Sequence, residues 1–189
     1  MKKNEVPALL PVTEGIYLRP VTLADAAALF HLIDTQRDYL RQWLPFVDAS
    51  QEEADTRSFL KYVTDKANTS DKVFVILYRG EVAGLISLKE IDYLNRKLEI
   101  GYYLSEALQG KGIMRQSCQA LVKCAFEDLH MNRIQIKVGV GNTRSSNIPQ
   151  KLGFLLEGVQ RQSEYLNGAF HDLEVYSLLR QEWQARQEP

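Results

Sequence analysis

The segment Leu104–Ala120, LSEALQGKGIMRQSCQA, sets the tightest limit on how this chain folds. It reads as the end of a strand, a turn with glycines at 110 and 112, and a helix that opens directly afterwards. Two missing side chains let several backbone N–H groups converge on one point. The first amides of a helix have no intrahelical partner and carry about half a positive charge, so such a turn can hold a phosphate. Lys111 and Arg115 add positive charge beside it. The spacing fits neither Gly-x-x-x-x-Gly-Lys-Ser/Thr nor Gly-x-Gly-x-x-Gly, so ATP and dinucleotide loops are poor fits. On this segment alone, a turn whose glycines serve only backbone geometry stands level with phosphate binding.

The rest of the chain supplies a sheet and helices around that turn. Ile16–Val21 alternates as a first strand, and Thr22 caps a helix to about Ile33 with Leu23, Ala27, Leu29, Phe30 and Ile33 facing inward. A short helix broken at Pro45 follows, and Ser50 with Glu53 forms a capping-box signature for the next one, whose apolar side carries Phe59, Leu60 and Val63. Lys72–Tyr78 and Glu81–Lys89 flank a tight Arg79–Gly80 turn, and Lys97–Leu104 makes a third strand. The helix after the glycine turn runs to about Leu129, with Ile113, Leu121, Ala125 and Leu129 inward. It is followed by a strand at Ile134–Val140, a helix over Arg144–Leu152 closed by Gly153, and a hairpin bracketing Asn167–Gly168. The fold class is α/β (α+β): a mixed, mostly antiparallel central sheet with helices on both faces. All 189 residues form a single domain, with its core at about 16–180.

Composition narrows the partners. Lys and Arg number 23 against 24 Asp and Glu, and no basic motif stands out, so direct nucleic-acid binding is not expected. No apolar run reaches the roughly 20 residues of a membrane span, and the opening MKKNEVPALLPV is too short and proline-broken for a signal sequence. Cys118 and Cys124 fall about 120° apart around one helix, which suits two buried thiols in a reducing cytoplasm better than a disulfide or a shared metal. His31, His130 and His171 are scattered, and no metal site is expected.

With these elements in order, Gln109–Met114 (QGKGIM) resembles the Gln/Arg-x-x-Gly-x-Gly/Ala turn of the GNAT N-acetyltransferase superfamily, with Met114 where the pattern has a small residue. NTRSSNIPQKLGF supplies a second match through Asn142, Ser145, Lys151, Leu152, Gly153 and Phe154, with Pro149 as a departure. EIGYYL at Glu99–Leu104 and QSEYLNGAFHDLEVY at Gln162–Tyr176 resemble the RimJ/RimL branch, and RimL-like ribosomal-protein-serine acetyltransferases above all. The resemblance implies acetyl-CoA as co-substrate, its pyrophosphate at Gln109, Gly110, Lys111, Gly112, Ile113 and Met114. Its pantetheine arm would meet the backbone of Tyr103 and Leu104, if that strand splays from its neighbour, and the amides of Asn142 and Asn147. The same resemblance places a catalytic serine at Ser145 and a catalytic glutamate at Glu164.

Acetyl transfer to an amine needs a held thioester, a neutral nitrogen and a stabilised oxyanion. Glu164 is the first choice for the base and Glu99 the second, although residue type alone makes a surface or ion-paired glutamate the commoner role. Ser145 can give a proton to the leaving thiolate, or simply cap its helix. Tyr39, Trp43, Leu44, Pro45 and Phe46 supply core packing or a lid over the acceptor. The expected acceptor is a protein N-terminus, a ribosomal protein first. A small amine such as a polyamine, amino acid or antibiotic is the rival, and a non-catalytic acyl-CoA-binding regulator is the alternative of another class. A second copy of the chain is a further candidate partner.

Overall fold

The computed structural model describes residues 9–187. The opening segment to Ala8, and with it most of the stretch read against a signal sequence, lies outside them. The elements run β1 (Leu10–Thr13), β2 (Ile16–Pro20), α1 (Ala26–Asp34), α2 (Arg37–Leu40), α3 (Glu53–Thr64), β3 (Lys72–Tyr78), β4 (Glu81–Asp92), β5 (Lys97–Leu104), α4 (Ile113–Glu127), β6 (Arg133–Gly139), α5 (Thr143–Lys151), β7 (Leu155–Leu166), β8 (Ala169–Leu179) and α6 (Arg180–Ala185). Eight strands form one sheet in the order β1-β2-β3-β4-β5-β6-β8-β7. Every neighbouring pair is antiparallel except β5 with β6.

Alternation along the strands divides the core into two layers. On one face Phe74, Ile76, Ile86, Leu88, Leu98 and Ile100 pack against Ile113, Leu121, Ala125 and Phe126 of α4. On the other, Val73, Val75 and Leu85 meet Ala26 and Leu29 of α1 and Leu60 of α3. Covering both faces is why β3 buries four successive residues, Val73–Ile76, rather than every second one. Cys118 and Cys124 are buried free thiols on α4, held well above the ordinary thiol range by burial.

Several local expectations need correction. An additional strand, β1, pairs with β2 at the sheet edge, and its Pro11 is tolerated there because one side of the strand is unpaired. Leu23 and Ala27 are exposed, and Ala26, Leu29, Leu32 and Ile33 carry the inward stripe, because a 3₁₀ turn over Leu23–Asp25 rotates the start of α1. The helix α2 stops at Leu40, ahead of Pro45. The capping box of α3 is Glu52 with Asp55, not Ser50 with Glu53; the Ser50 hydroxyl donates to the Phe46 carbonyl instead.

One junction opens the middle of the sheet. The parallel pair β5–β6 is in register only at Lys97–Arg133, Leu98–Ile134 and Glu99–Gln135. Beyond it β5 continues to Leu104 and β6 to Gly139 without pairing to each other, so the sheet parts into a wedge between them.

Candidate active site

A cleft of about 1090 Å³ fills the wedge and continues under α2. Its far end is the glycine turn. Gly110 and Gly112 take φ of 73° and 76°, the left-handed region that a side chain resists. Gly112 is the N-cap of α4 and no side chain among the described residues caps it, so the first amides of a 15-residue helix can meet an anion. A Cβ at Gly110 would find no atom within 4 Å, so the turn is open to a ligand. Ile113 and Met114 are buried in the core beneath it and also line the cleft, so Met114 is accommodated where the family pattern has a small residue. Arg115, Arg144 and Lys151 line the cleft, whereas Lys111 is exposed and its side chain lies outside that lining.

The wedge wall is unpaired backbone. Ser105 N–H donates to the Ala83 carbonyl, and a Cβ on Gly84 would collide with the Tyr103 carbonyl, so both residues turn their backbone towards β4. Strand alternation then aims the N–H and C=O of Tyr102 and Leu104 into the wedge. Of the two residues expected to meet a pantetheine arm, Leu104 presents its backbone there and Tyr103 does not. An extended amide-bearing chain fits such a wall, and a phosphate-ended one fits the turn beyond it. Asn147 lines the cleft from α5. Asn142 caps that helix, its side-chain oxygen accepting from Ser145 N–H at 3.1 Å, so Asn142 and not Ser145 fills the capping role.

Three titratable or hydroxyl groups expected from the sequence border this space. Ser145 sits at the first turn of α5, its hydroxyl donating to the Tyr102 phenol oxygen at 3.3 Å. Pro149 lies within α5, whose carbonyls still bond Leu152 and Gly153 beyond it. Glu164 is half-buried on β7 opposite His171. Burial pushes its carboxyl up, as does Glu99, while Lys89 and His171 pull it down, and the net position is above the ordinary carboxylate. Glu99 is different. It is 3% exposed, with Lys89 Nζ at 2.6 Å, Lys137 Nζ at 3.1 Å and Gln135 Nε2 at 3.0 Å. Burial raises its carboxyl, but the two ammonium groups outweigh that and hold it below the usual range. A carboxylate so neutralised is a weak proton acceptor.

Another wall of the cleft is formed by Tyr39, Trp43, Leu44, Pro45 and Phe46. The Trp43 ring lies 3.3 Å from where a Cβ on Gly139 would stand, and Phe46 meets Tyr103 with ring centroids 5.8 Å apart. Gln36 ties this wall to the segment that leads into the glycine turn, donating to Ser105 Oγ at 3.1 Å and accepting from Glu106 N–H at 2.7 Å. Gln109 accepts from Arg144 at 2.6 Å and donates to the Tyr39 hydroxyl. Sequence reasoning passed over Tyr102, Lys89 and Lys137. The register that pairs Lys89 with Glu99 was the signal for Lys89; Tyr102 needs the contact with α5, which no spacing announces.

Comparison with known proteins agrees with this geometry. The acetyltransferase (GNAT) domain family matches residues 16–155. A Bacillus subtilis protein named "Putative ribosomal N-acetyltransferase YdaF" is 39% identical over 92% of this chain and 96% of its own. The ribosomal-protein-serine acetyltransferase of Escherichia coli is 34% identical over 89% of this chain and 94% of its own. A spermidine N(1)-acetyltransferase of the same species is more distant at 28%, over 86% and 85% of the two chains. Among solved structures, the RimL ribosomal L7/L12 α-N-protein acetyltransferase in complex with coenzyme A superposes with a TM-score of 0.87 at 31% identity, covering 90% of this chain and 97% of that one. Taken with the open wedge, the bare helix terminus and the flanking carboxylate, these matches identify the chain as a member of the GNAT family of acetyl-CoA-dependent N-acetyltransferases.

Proposed function

We propose that the enzyme acetylates the N-terminal α-amine of a protein, a ribosomal protein by analogy with its relatives, with Glu164 as base and Ser145 as acid. The observation that carries this reading is that the raised carboxylate of Glu164 and the hydroxyl of Ser145 border one cleft, while the rival carboxylate Glu99 is held by two lysines. An α-amine costs about 1 kcal/mol to deprotonate near neutrality, and a lysine amine roughly 3 kcal/mol more. Glu164 takes one proton from the ammonium, directly or through one water, and the nitrogen lone pair attacks the thioester carbonyl. As the C–S bond breaks, sulfur keeps the electron pair and Ser145 supplies its proton. The second proton of the nitrogen returns to Ser145 through water, so one proton in all is released to solvent.

Lys89 and Lys137 also bear on the acceptor. They stand in the cleft wall against Glu99, and Lys89 acts on Glu164 as well, so two lysines face two carboxylates and Glu164 is left to receive a single ammonium group. A serine-first peptide with internal lysines, the same peptide blocked at its N-terminus, and spermidine make the test. Mass spectrometry should find the acetyl group on the free α-amine. Acetylation confined to lysine side chains, or faster turnover of spermidine than of the free peptide, would overturn the assignment.

A further inference from the structure

Ser145 does not stand alone in the wedge. Two hydrogen bonds tie it to Tyr102: the phenol donates to the Ser145 carbonyl at 3.1 Å, and the Ser145 hydroxyl donates to the phenol oxygen at 3.3 Å. The two residues are 43 positions apart, one on β5 and one in the first turn of α5, so the pairing ties α5 to the β5 side of the wedge. Because the phenol proton is committed to a carbonyl, its oxygen is left as an acceptor. That acceptor fixes the torsion of the Ser145 hydroxyl, which would otherwise rotate freely among three staggered positions.

From this we infer that Tyr102 is a positioning residue for acetyl transfer: it parks the Ser145 hydroxyl in one rotamer between turnovers and releases its hydrogen to the sulfur as the thiolate departs. The inference rests on the assignment of Ser145 as acid. The bond balance is simple. In the resting site Ser145 Oγ–H points to the Tyr102 oxygen. When the C–S bond breaks, that hydrogen passes to the sulfur, which holds the electron pair, the Ser145 oxygen regains a proton from the acylated nitrogen through water, and Tyr102 keeps its own proton throughout. The phenol meets the Ser145 hydroxyl as an acceptor because its own proton is given to the Ser145 carbonyl, and burial, which pushes its ionisation up, keeps that proton in place. A loose bond of 3.3 Å suits this task, since a short one would hold the hydrogen back.

The test is a double-mutant cycle of Tyr102→Phe and Ser145→Ala, with kcat, KM for acetyl-CoA and coenzyme A affinity by calorimetry. Tyr102→Phe should lower kcat about 10-fold with KM and affinity changed less than twofold, a part of the ~10²–10⁴-fold that a positioned acid contributes. In the Ser145→Ala background it should lower kcat no further, since there is no hydroxyl left to position. A full and independent loss in both backgrounds would overturn the inference and leave Ser145 as acid. An equal loss in coenzyme A affinity would make Tyr102 a structural support of α5, and would overturn it too. Ser145→Ala with wild-type kcat would remove the assignment on which it rests. Tyr102→Met, also without a hydroxyl, serves the same cycle if the phenylalanine variant does not fold.

Discussion

Replacing Glu99 by glutamine should cost stability before it costs chemistry. The carboxylate is 3% exposed and accepts from Lys89, Lys137 and Gln135. Removing one partner of a buried ion pair costs about 3–5 kcal/mol, because the charge left behind is uncompensated. Here the lysine side chains are 42% and 24% exposed, so water takes up part of the loss. Glutamine also keeps one carbonyl oxygen as an acceptor. About 2–3 kcal/mol is therefore expected, a shift of roughly 4–12 °C in Tm for a domain of this size. The pH dependence carries a sign. Glu99 ionises below its unfolded value, so its contribution is complete above the ordinary glutamate range near pH 4.3, and is lost as pH falls through the lower folded value. Urea unfolding of the wild type and Glu99→Gln at pH 7, 5 and 3.5 measures this directly. The difference should hold from pH 7 to 5 and shrink at 3.5. A variant as stable as the wild type, yet without turnover, would refute the reasoning and make Glu99 the base.

The cleft supports two more expected outcomes. Gly112→Glu places a negative charge and a side chain at a left-handed N-cap, so coenzyme A affinity by calorimetry should fall more than 100-fold in a folded variant; unchanged affinity would put the pyrophosphate elsewhere. Glu164→Gln should lower kcat by about 10²–10⁴-fold with little change in cofactor affinity. Since its carboxyl titrates above the usual range, the acidic limb of kcat/KM should also lie above that of an ordinary glutamate, and raising the pH should partly rescue the variant.

Much of this arrangement was legible in the chain itself. Strands β3 and β5 end where their apolar runs end, and the turns Arg79–Gly80 and Asn167–Gly168 carry positive φ at both residues as short hairpins require. The helix after Gly112 and the inward positions Ile113, Leu121 and Ala125 follow from a 3.6-residue period. What stayed hidden depends on distant neighbours. Ser50 followed by Glu53 makes a sound local signature, but Asp55 reaches the Glu52 amide and wins. Lys89, Glu99 and Lys137 are unremarkable charges until β4, β5 and β6 align them on one face. The cap of α5 went to Asn142 because its carbonyl oxygen spans the turn to the Ser145 amide.

The narrow seam between β5 and β6 has a mechanical consequence. Three register pairs join the five strands β1–β5 to the three strands β6, β8 and β7. Elsewhere across the sheet the backbone ladder resists opening; at this seam it gives way to amides that only solvent or a guest can satisfy. Acetyl-CoA lying against Tyr102 and Leu104 on one side and α5 on the other would fasten the two halves together. The Tyr102 and Leu104 amides, fast in hydrogen exchange when the seam is open, would become slow, and ligand at 100 times its Kd would add about 2.7 kcal/mol to the cost of unfolding. The co-substrate would thereby serve for part of each cycle as a structural member of the sheet.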